Sequence, residues 1–428
     1  MNYFVNMNGI DVNAYYSDNT VKELFFPLLE RVTKLQKEKG RRVIVYVAAP
    51  PGAGKSTLCS FLQKLSEENP DFTNAQAIGM DGFHRRQEYL DTHKTLRCGR
   101  EIFMAEIKGA PETFDLTAFE EKIKELTISE KVGWPVYDRL LHNPVEDAVV
   151  VDGSIVFLEG NYLLLDQEGW RDLKKYSDLT IFIKADPDML RERLIARKAA
   201  SGNTLDKATE FVDSSDMANV NLCLNDSDIS DLTFVLDDEG EYYLDKSNIR
   251  KLILEKRNKL GPDEIREKSE IIKNKLLALP EYEKAHSILI YASMGSEVIT
   301  DEIILDAWSK GKNVFCPKVT DKANRQMSFV QIESLEDLKK GYFGIREPEI
   351  NEGSKIYTDS MSDALVVMPG VAFDKDRNRI GYNGGFYDTF LADNKDLDTV
   401  ALAFDVQIYD GRIYKEKHDI KPDRIITS

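Results

Sequence analysis

Residues 43–57 constrain this chain more than any other stretch. Val43 to Ala48 is an unbroken apolar run, and Ala49-Pro50-Pro51-Gly52-Ala53-Gly54-Lys55-Ser56-Thr57 follows it directly. The run reads as a buried strand, the glycines as a turn, and Lys55 to Leu65 as a helix. A strand that enters a helix through such a turn converges backbone N–H groups on one point, and the helix N-terminus adds positive potential there. Gly52 and Gly54 permit the turn, Lys55 can reach terminal phosphates, and the Ser56 hydroxyl, with Thr57 beside it, can hold Mg²⁺. The usual motif opens with glycine where Ala49 stands, which the loop tolerates if Ala49 keeps a negative φ. The plainer alternative is an ordinary strand-to-helix turn.

The rest of the chain sets that loop in context. Its 428 residues exceed a common single domain about threefold, so two domains are expected. After the loop, strand-like runs at Ile155–Leu158 and Leu179–Ile183 alternate with helical patterns at Phe119–Leu126 and Met189–Lys198. An amphipathic stretch, Val21–Lys37, precedes them. Such alternation predicts a parallel sheet covered on both faces. The acidic stretch Asp237-Asp238-Glu239-Gly240-Glu241 ends this unit. A basic helix, Ser247–Lys259, comes next and is broken by Gly261-Pro262, after which Asp263–Leu279 forms a longer one. Alternation then resumes, with strands at Ile288–Ala292, Val314, Phe329, Leu365–Met368, Val400–Phe404 and Ile425–Thr427 around a helix at Asp301–Ser309. The expected division is 1–245 and 246–428.

Charge and cysteines exclude several classes. The net charge is −17, of which residues 1–245 carry −15. An acidic surface repels a phosphate backbone, so no nucleic-acid partner is expected. The longest apolar run, Val43 to Ala49, is far below the roughly 20 residues that span a bilayer. Residues 1–10 show no basic stretch followed by an apolar core, so no signal peptide and no membrane partner are expected. Cys59, Cys98, Cys223 and Cys316 lie far apart, without metal-ligand or disulfide spacing, which fits a reducing cytoplasm.

Further motifs accompany the loop: Met80-Asp81-Gly82-Phe83-His84, Lys108-Gly109-Ala110-Pro111-Glu112-Thr113-Phe114-Asp115, Pro135-Val136-Tyr137-Asp138-Arg139 and Glu159-Gly160-Asn161-Tyr162-Leu163. With these, most of residues 40–222 resembles the uridine kinase, phosphoribulokinase and pantothenate kinase group of P-loop kinases. The resemblance implies ATP-dependent phosphorylation of a small-molecule hydroxyl. It casts Asp81 as the base toward that hydroxyl, and a carboxylate near the γ-phosphate can align a hydroxyl and accept its proton. It casts Glu159 as a group orienting Mg²⁺ or its water. Arg191, Arg193 and Arg197 lie at helical spacing, as either a lid over phosphates or a solvated face. His84 is open between substrate contact and structural hydrogen-bonder. The acceptor is open among nucleosides, sugars, pantothenate-like alcohols and folate-pathway metabolites.

The second half carries another glycine loop. Met368-Pro369-Gly370-Val371-Ala372-Phe373-Asp374 ends a strand, and Arg379-Ile380-Gly381-Tyr382-Asn383-Gly384-Gly385-Phe386-Tyr387-Asp388 follows. Three glycines around an Asn allow a tight loop whose amides approach phosphates. Arg379 can neutralise phosphate charge, and Asp388 can hold Mg²⁺, which prefers carboxylate and water oxygens. A bare glycine turn is the alternative. Adding Lys246 with Arg250, residues 291–300, Gly344-Ile345-Arg346-Glu347-Pro348 and the segment Lys417 to Thr427, nearly all of 246–428 resembles 5-formyltetrahydrofolate cyclo-ligase. Asn383 stands where that family usually has glycine, and Thr389 where arginine is frequent.

This resemblance implies ATP-driven closure of 5-formyltetrahydrofolate to 5,10-methenyltetrahydrofolate, with ADP and phosphate released. It assigns Lys246, Arg250 and Arg379 to the triphosphate as its charge shifts, and Gly381 to Tyr387, including Tyr382, Asn383, Gly384, Gly385 and Phe386, to the nucleotide loop. It assigns Asp388 and Asp419 to Mg²⁺, and Glu297, Met294 and Tyr387 to the folate. On spacing alone, plainer alternatives stay open: a surface basic pair for Lys246 and Arg250, core residues for Met294 and Tyr387, and a turn cap for Asp419.

The expected fold class is therefore α/β in two domains. The first is a P-loop NTPase-type parallel sheet with helices on both faces, and the second a three-layer α/β/α cyclo-ligase domain. The expected function is a bifunctional enzyme using ATP and Mg²⁺ on small-molecule substrates. Two rivals stay open: a kinase with a folate-binding regulatory domain, and a cyclo-ligase with a non-catalytic nucleotide module.

Overall fold

The computed structural model of the chain describes residues 1–7, 10–97, 99–138, 141–341, 344–358, 361, 363–382 and 384–428. Cys98, Arg139 and Asn383, singled out above, lie outside the described residues. The chain divides into two compact units, Met1–Leu244 and Asp245–Ser428.

The first unit is built on a six-stranded sheet. Across it run Tyr242–Leu244, Leu232–Leu236, Leu179–Ala185, Val43–Ala48, Ile155–Gly160 and Ala75–Gly79. All neighbours are parallel except the edge pair Leu232–Leu236 and Tyr242–Leu244. Every residue of Val43–Ala48 is buried, and its alternate side chains feed two separate cores. Val43, Val45 and Val47 pack with Leu58, Phe61 and Leu62 of helix Lys55–Glu68 and with Leu28, Leu29 and Val32 of helix Phe26–Lys39. Ile44, Tyr46 and Ala48 pack with Phe119 and Ile123 of helix Leu116–Ile128 and with Trp134. A strand buried on both faces cannot alternate with polar residues, which explains its continuous apolar sequence.

The second unit repeats that logic. Its six strands run in the order Gln326–Ile332, Asn313–Asp321, Ser287–Ile290, Ala364–Met368, Asp398–Ala403 and Arg424–Thr427. The outer hairpin Asn313–Asp321/Gln326–Ile332 is antiparallel, and the remaining pairs are parallel. Ile288, Ile290, Leu365, Val367, Val400 and Leu402 face helices Pro262–Leu277 and Asp301–Ser309, while Leu289, Val366, Met368, Ala401 and Ala403 face helix Phe386–Asp393. Three layers result, so both units have the α/β architecture the sequence predicts. Helix Lys246–Arg257 is capped by the Asp245 carboxylate on Ser247 N–H at 2.7 Å, and Gly261-Pro262 opens the next helix with proline at its first turn.

The hairpins are the main departure from the sequence reading. Lys94–Arg97 pairs with Arg100–Phe103, Val132–Asp138 with Asn143–Val151, and Asn2–Met7 with Ile10–Tyr15, each outside the main sheet. Their short runs carry charges and prolines, so strand periodicity is weak in them.

Candidate active sites

In the first unit, Val43–Ala48 delivers the chain into a loop whose Gly52 and Gly54 sit at φ +85° and +77°. Side chains adopt this left-handed region only with strain, so glycine is required there. Ala49 is not among the residues with positive φ, so the missing first glycine costs nothing. Ser56 donates its hydroxyl hydrogen to Glu159 Oε1 at 2.7 Å, and Lys55 Nζ stands 4.0 Å from Glu159 Oε2. Glu159 is 8% exposed at the end of its strand. Hydroxyl, carboxylate and ammonium thus meet at the loop mouth, an oxygen pair suited to Mg²⁺ beside a cation suited to phosphate. Thr57 is half-buried in the first helical turn.

Asp81 lies in the short 3₁₀ turn Met80–Phe83, at the end of the neighbouring strand. Gly82 is the reason that motif tolerates no side chain: a Cβ there would stand 2.0 Å from the Pro135 carbonyl oxygen of the adjacent hairpin. The His84 ring stacks on Phe114 with centroids 3.9 Å apart, with Tyr137 edge-on at 5.3 Å. Burial pushes its pKa below the ordinary imidazole value, partly opposed by the Asp81 charge. His84 Nδ1 and Asn161 Oδ1 are buried without hydrogen-bond partners. Asn161 follows Gly160, which packs on Met80, so both unmet polar atoms lie close in sequence and packing to the Met80-Asp81 turn.

Of the three arginines on helix Pro187–Ala200, Arg191 is committed to a two-pronged pair with Asp213 at 2.6 and 2.8 Å. This helix approaches the loop at Gly52, where a Cβ would lie 3.2 Å from Leu194 Cγ and 3.4 Å from the Leu190 carbonyl oxygen.

In the second unit, helix Lys246–Arg257 presents two bases to the glycine loop and to the segment after residue 415. Arg250 Nε donates to the Gly381 carbonyl at 2.8 Å. Lys246 Nζ lies 2.5 Å from Asp419 Oδ2 and 2.9 Å from Glu416 Oε2. Arg379 is 9% exposed, and its Nη2 donates to Asp388 Oδ2 at 2.9 Å. The other oxygen of Asp388 accepts the Ile420 N–H at 3.0 Å, so Asp388 and Asp419 share one corner. Glu416, His418 and Asp419 can present ligand atoms within 4.8 Å of one another. Gly385, at φ +66°, opens helix Phe386–Asp393.

Beside the loop lies a cluster of polar side chains. Glu297 is 8% exposed, and its Oε2 accepts the Met294 N–H at 2.8 Å. Burial raises its pKa, while a hydrogen bond from Tyr382, the Met294 amide and the Arg257 charge oppose that rise. The Tyr387 ring is half-buried, edge-on to Phe329, with its buried hydroxyl unpartnered, whereas Met294 is 39% exposed. Tyr382, assigned to the nucleotide loop from sequence, turns its hydroxyl toward Glu297 and Arg257. Phe386 packs against Gly384.

Several supporting residues had no role in the sequence reading, although Thr300 and Arg346 lie within the motifs given above. Thr300 Oγ1 donates to the Tyr291 carbonyl at 2.8 Å and accepts the Ser293 N–H at 3.0 Å, closing the 293–300 loop. Arg346 clamps the same loop, with Nη2 on the Ser293 carbonyl at 3.2 Å and two bonds to Asp301 at 2.9 and 2.5 Å. Arg325, on the outer hairpin, places its side chain over Gly385, where a Cβ would meet Arg325 Cδ at 3.2 Å. Arg257 holds the third place in the buried stripe Ile249, Ile253, Arg257; a charge in an apolar stripe was the available signal.

These geometries define the class: two α/β units, each with a glycine loop that faces buried cations and carboxylates. A profile of the 5-formyltetrahydrofolate cyclo-ligase family matches residues 243–428, and one of the phosphoribulokinase/uridine kinase family matches residues 44–230. The mouse 5-formyltetrahydrofolate cyclo-ligase is 32% identical over 192 residues, covering 42% of this chain and 92% of the mouse protein. The Escherichia coli K12 protein YggC is 39% identical over 238 residues, covering 55% of this chain and 96% of that protein. A Schizosaccharomyces pombe protein provisionally named a uridine kinase is 34% identical over 200 residues, covering 45% of this chain and 82% of that protein. The chain therefore belongs to the 5-formyltetrahydrofolate cyclo-ligase family through its second unit and to the phosphoribulokinase/uridine kinase family through its first. No helix among the described residues is long and apolar enough to cross a membrane.

Proposed function

We propose that this protein is a bifunctional enzyme, with a kinase domain at 1–245 and a cyclo-ligase domain at 246–428. The second domain converts 5-formyltetrahydrofolate and ATP into 5,10-methenyltetrahydrofolate, ADP and phosphate. The observation that carries this reading is that Arg250 on the glycine loop, Arg379 on Asp388 and Lys246 on Asp419 gather three cations about two carboxylates, with the buried Glu297 joined to the loop through Tyr382. The formamide oxygen is a poor leaving group. Transfer of the γ-phosphoryl to that oxygen activates the formyl carbon, N10 attacks it, and the oxygen departs with the phosphate. Arg379 and Lys246 stabilise charge moving onto the phosphoryl group. Glu297 accepts hydrogen bonds from the pterin ring, with Tyr387 and Met294 against the folate. Asp388 and Asp419 would hold Mg²⁺, which shields phosphate charge. Arg379 and Lys246 already occupy those carboxylates, so MgATP must exchange with these internal pairs.

The first domain transfers phosphate from ATP to a small-molecule hydroxyl. Lys55 contacts the phosphates, Ser56 and Glu159 would hold Mg²⁺, and Asp81 takes the hydroxyl proton. The unmet buried atoms of His84 and Asn161 support a hydroxyl-bearing acceptor near Asp81. Cys59, Cys223 and Cys316 are buried free thiols, which fits a reducing, cytoplasmic setting.

The deciding assay mixes purified full-length protein with Mg²⁺, ATP and 5-formyltetrahydrofolate and follows the methenyl absorbance band together with ADP. Both should appear in equal amounts, vanish with Asp388→Ala and persist with Lys55→Ala. Folded, ATP-binding protein that forms no methenyl product would overturn the cyclo-ligase reading.

A further inference from the structure

Helix Lys246–Arg257 buries Ile249, Ile253 and Arg257 on one face, so a guanidinium fills a position where the stripe calls for an aliphatic side chain. Arg257 is 4% exposed. A charge so placed is costly unless its partners compensate. Its Nη2 donates to the Tyr382 hydroxyl at 2.6 Å, and its Nε donates to Ser296 Oγ at 3.1 Å. Nη1 is buried with no hydrogen-bond partner. The Tyr382 ring centre lies 5.6 Å from the guanidinium carbon, and the Tyr382 hydroxyl continues to Glu297. Arg257 therefore grips the Glu297 loop twice, once through its neighbour Ser296 and once through Tyr382.

We propose that Arg257 is a positioning residue of the folate site, which fixes the Glu297 carboxylate through Tyr382 and Ser296 and keeps it ionised. The proposal rests on the folate reading of this site. A pterin edge presents adjacent N–H donors. A carboxylate accepts from both, whereas a protonated carboxyl sets a donor against a donor. The groups facing Glu297 are Arg257 from the helix, Tyr291 from the strand end before its loop, Tyr382 from the glycine loop and Tyr387 from helix Phe386–Asp393. Burial raises the pKa of all three tyrosines, so they stay neutral and Arg257 is the charged member of the four. Burial raises the Glu297 pKa, opposed by the Tyr382 hydroxyl, the Met294 amide and the Arg257 charge, and Arg257 also holds that hydroxyl in place.

The test uses the full-length chain with Arg257→Met, which keeps the aliphatic stem, and Arg257→Lys, which keeps the charge. KM for 5-formyltetrahydrofolate and kcat are measured from pH 6 to 9. Arg257→Met should raise KM about tenfold at neutral pH, the scale of losing one coupling between neighbouring groups. The rise should fade as pH increases, with kcat nearly unchanged, and Arg257→Lys should restore the wild-type profile. A KM raised equally at every pH, or equally by both variants, overturns the proposal. In parallel, carboxyl ¹³C NMR of the folate-free protein, assigned with Glu297→Gln, follows the Glu297 titration. It should move upward in Arg257→Met and in Tyr382→Phe. An unmoved titration in both overturns the proposal even if folate turnover is normal. Wild type that never turns over folate defeats the folate reading alone, and the NMR titration still decides the Arg257–Glu297 coupling.

Discussion

At the first glycine loop, Lys55 stands 4.0 Å from Glu159, and Ser56 takes the shorter contact at 2.7 Å. At the second, Arg379 lies 2.9 Å from Asp388 and Lys246 2.5 Å from Asp419. The lysine of the first loop is only loosely held by its carboxylate, which lies beside the Ser56 hydroxyl. In the second, two of the three candidate phosphate-binding cations, Arg379 and Lys246, are engaged by candidate metal-binding carboxylates, while Arg250 donates to the Gly381 carbonyl. In the proposed reading, Arg379 and Lys246 would turn to phosphate and Asp388 and Asp419 would hold Mg²⁺, so these internal pairs would have to open. The first loop is prepared by backbone geometry, the second by exchange of side-chain pairs, so single substitutions should act on them differently.

The largest expected effect comes from Arg379→Ala, which should cut folate-dependent ADP release by about 10² to 10³-fold, the scale of losing a group that stabilises developing charge. Phosphoryl transfer by the first domain should be untouched. Lys55→Ala should do the reverse, and loss of both activities from either change would show that the loops are coupled. Next, Asp81→Asn should lower phosphoryl transfer by roughly 10²-fold with nucleotide affinity unchanged. That assay requires an acceptor found by screening nucleosides, sugars and pantothenate-like alcohols. Turnover indifferent to Asp81→Asn would make the first domain a nucleotide-binding module.

A smaller pair of effects concerns pH. Burial raises the Glu297 pKa, so between the ordinary glutamate value and the elevated one the folded protein holds a proton there that the unfolded chain has released. Stability from this group is complete below the ordinary glutamate value and is lost as pH rises through the elevated one. Glu297→Gln should therefore raise the melting temperature at neutral pH while it weakens folate binding; equal melting temperatures at pH 7 would contradict the buried charge. His84 has the opposite sign. Its pKa is lowered by burial, so acidification below the ordinary imidazole value, about 6.5, should destabilise the first unit. His84→Phe should flatten that acid limb, and a melting profile unchanged by the substitution would show that His84 does not titrate in this range.

Strands and helices were legible where burial is two-sided or periodic. Val43–Ala48 reads as a strand because both faces are covered, and its bounds in the fold are the same six residues. Lys246 and Arg250 read as one helical turn, and both reach the second site from helix Lys246–Arg257. Pairings made across distant segments were not legible. Nothing local to Tyr382 says that its hydroxyl turns to Arg257, 125 positions earlier. The loop glycines equally suit a phosphate or a bare turn, so only the cations arriving from other segments separate the two. Gly82 could be noticed but not explained without the Pro135 backbone that crowds it.

The sheet orders also set a timetable. The first unit holds all six strands of its sheet by Leu244, before any strand of the second has been made. The second unit closes with Arg424–Thr427, and Asp419 and the Ile420 amide join its site from the segment just before. On a ribosome that extends the chain by about 5–20 residues per second, the first loop is assembled roughly ten or more seconds ahead of the second. A nascent chain halted before residue 416 would carry a finished first loop and a second one still missing its acidic corner.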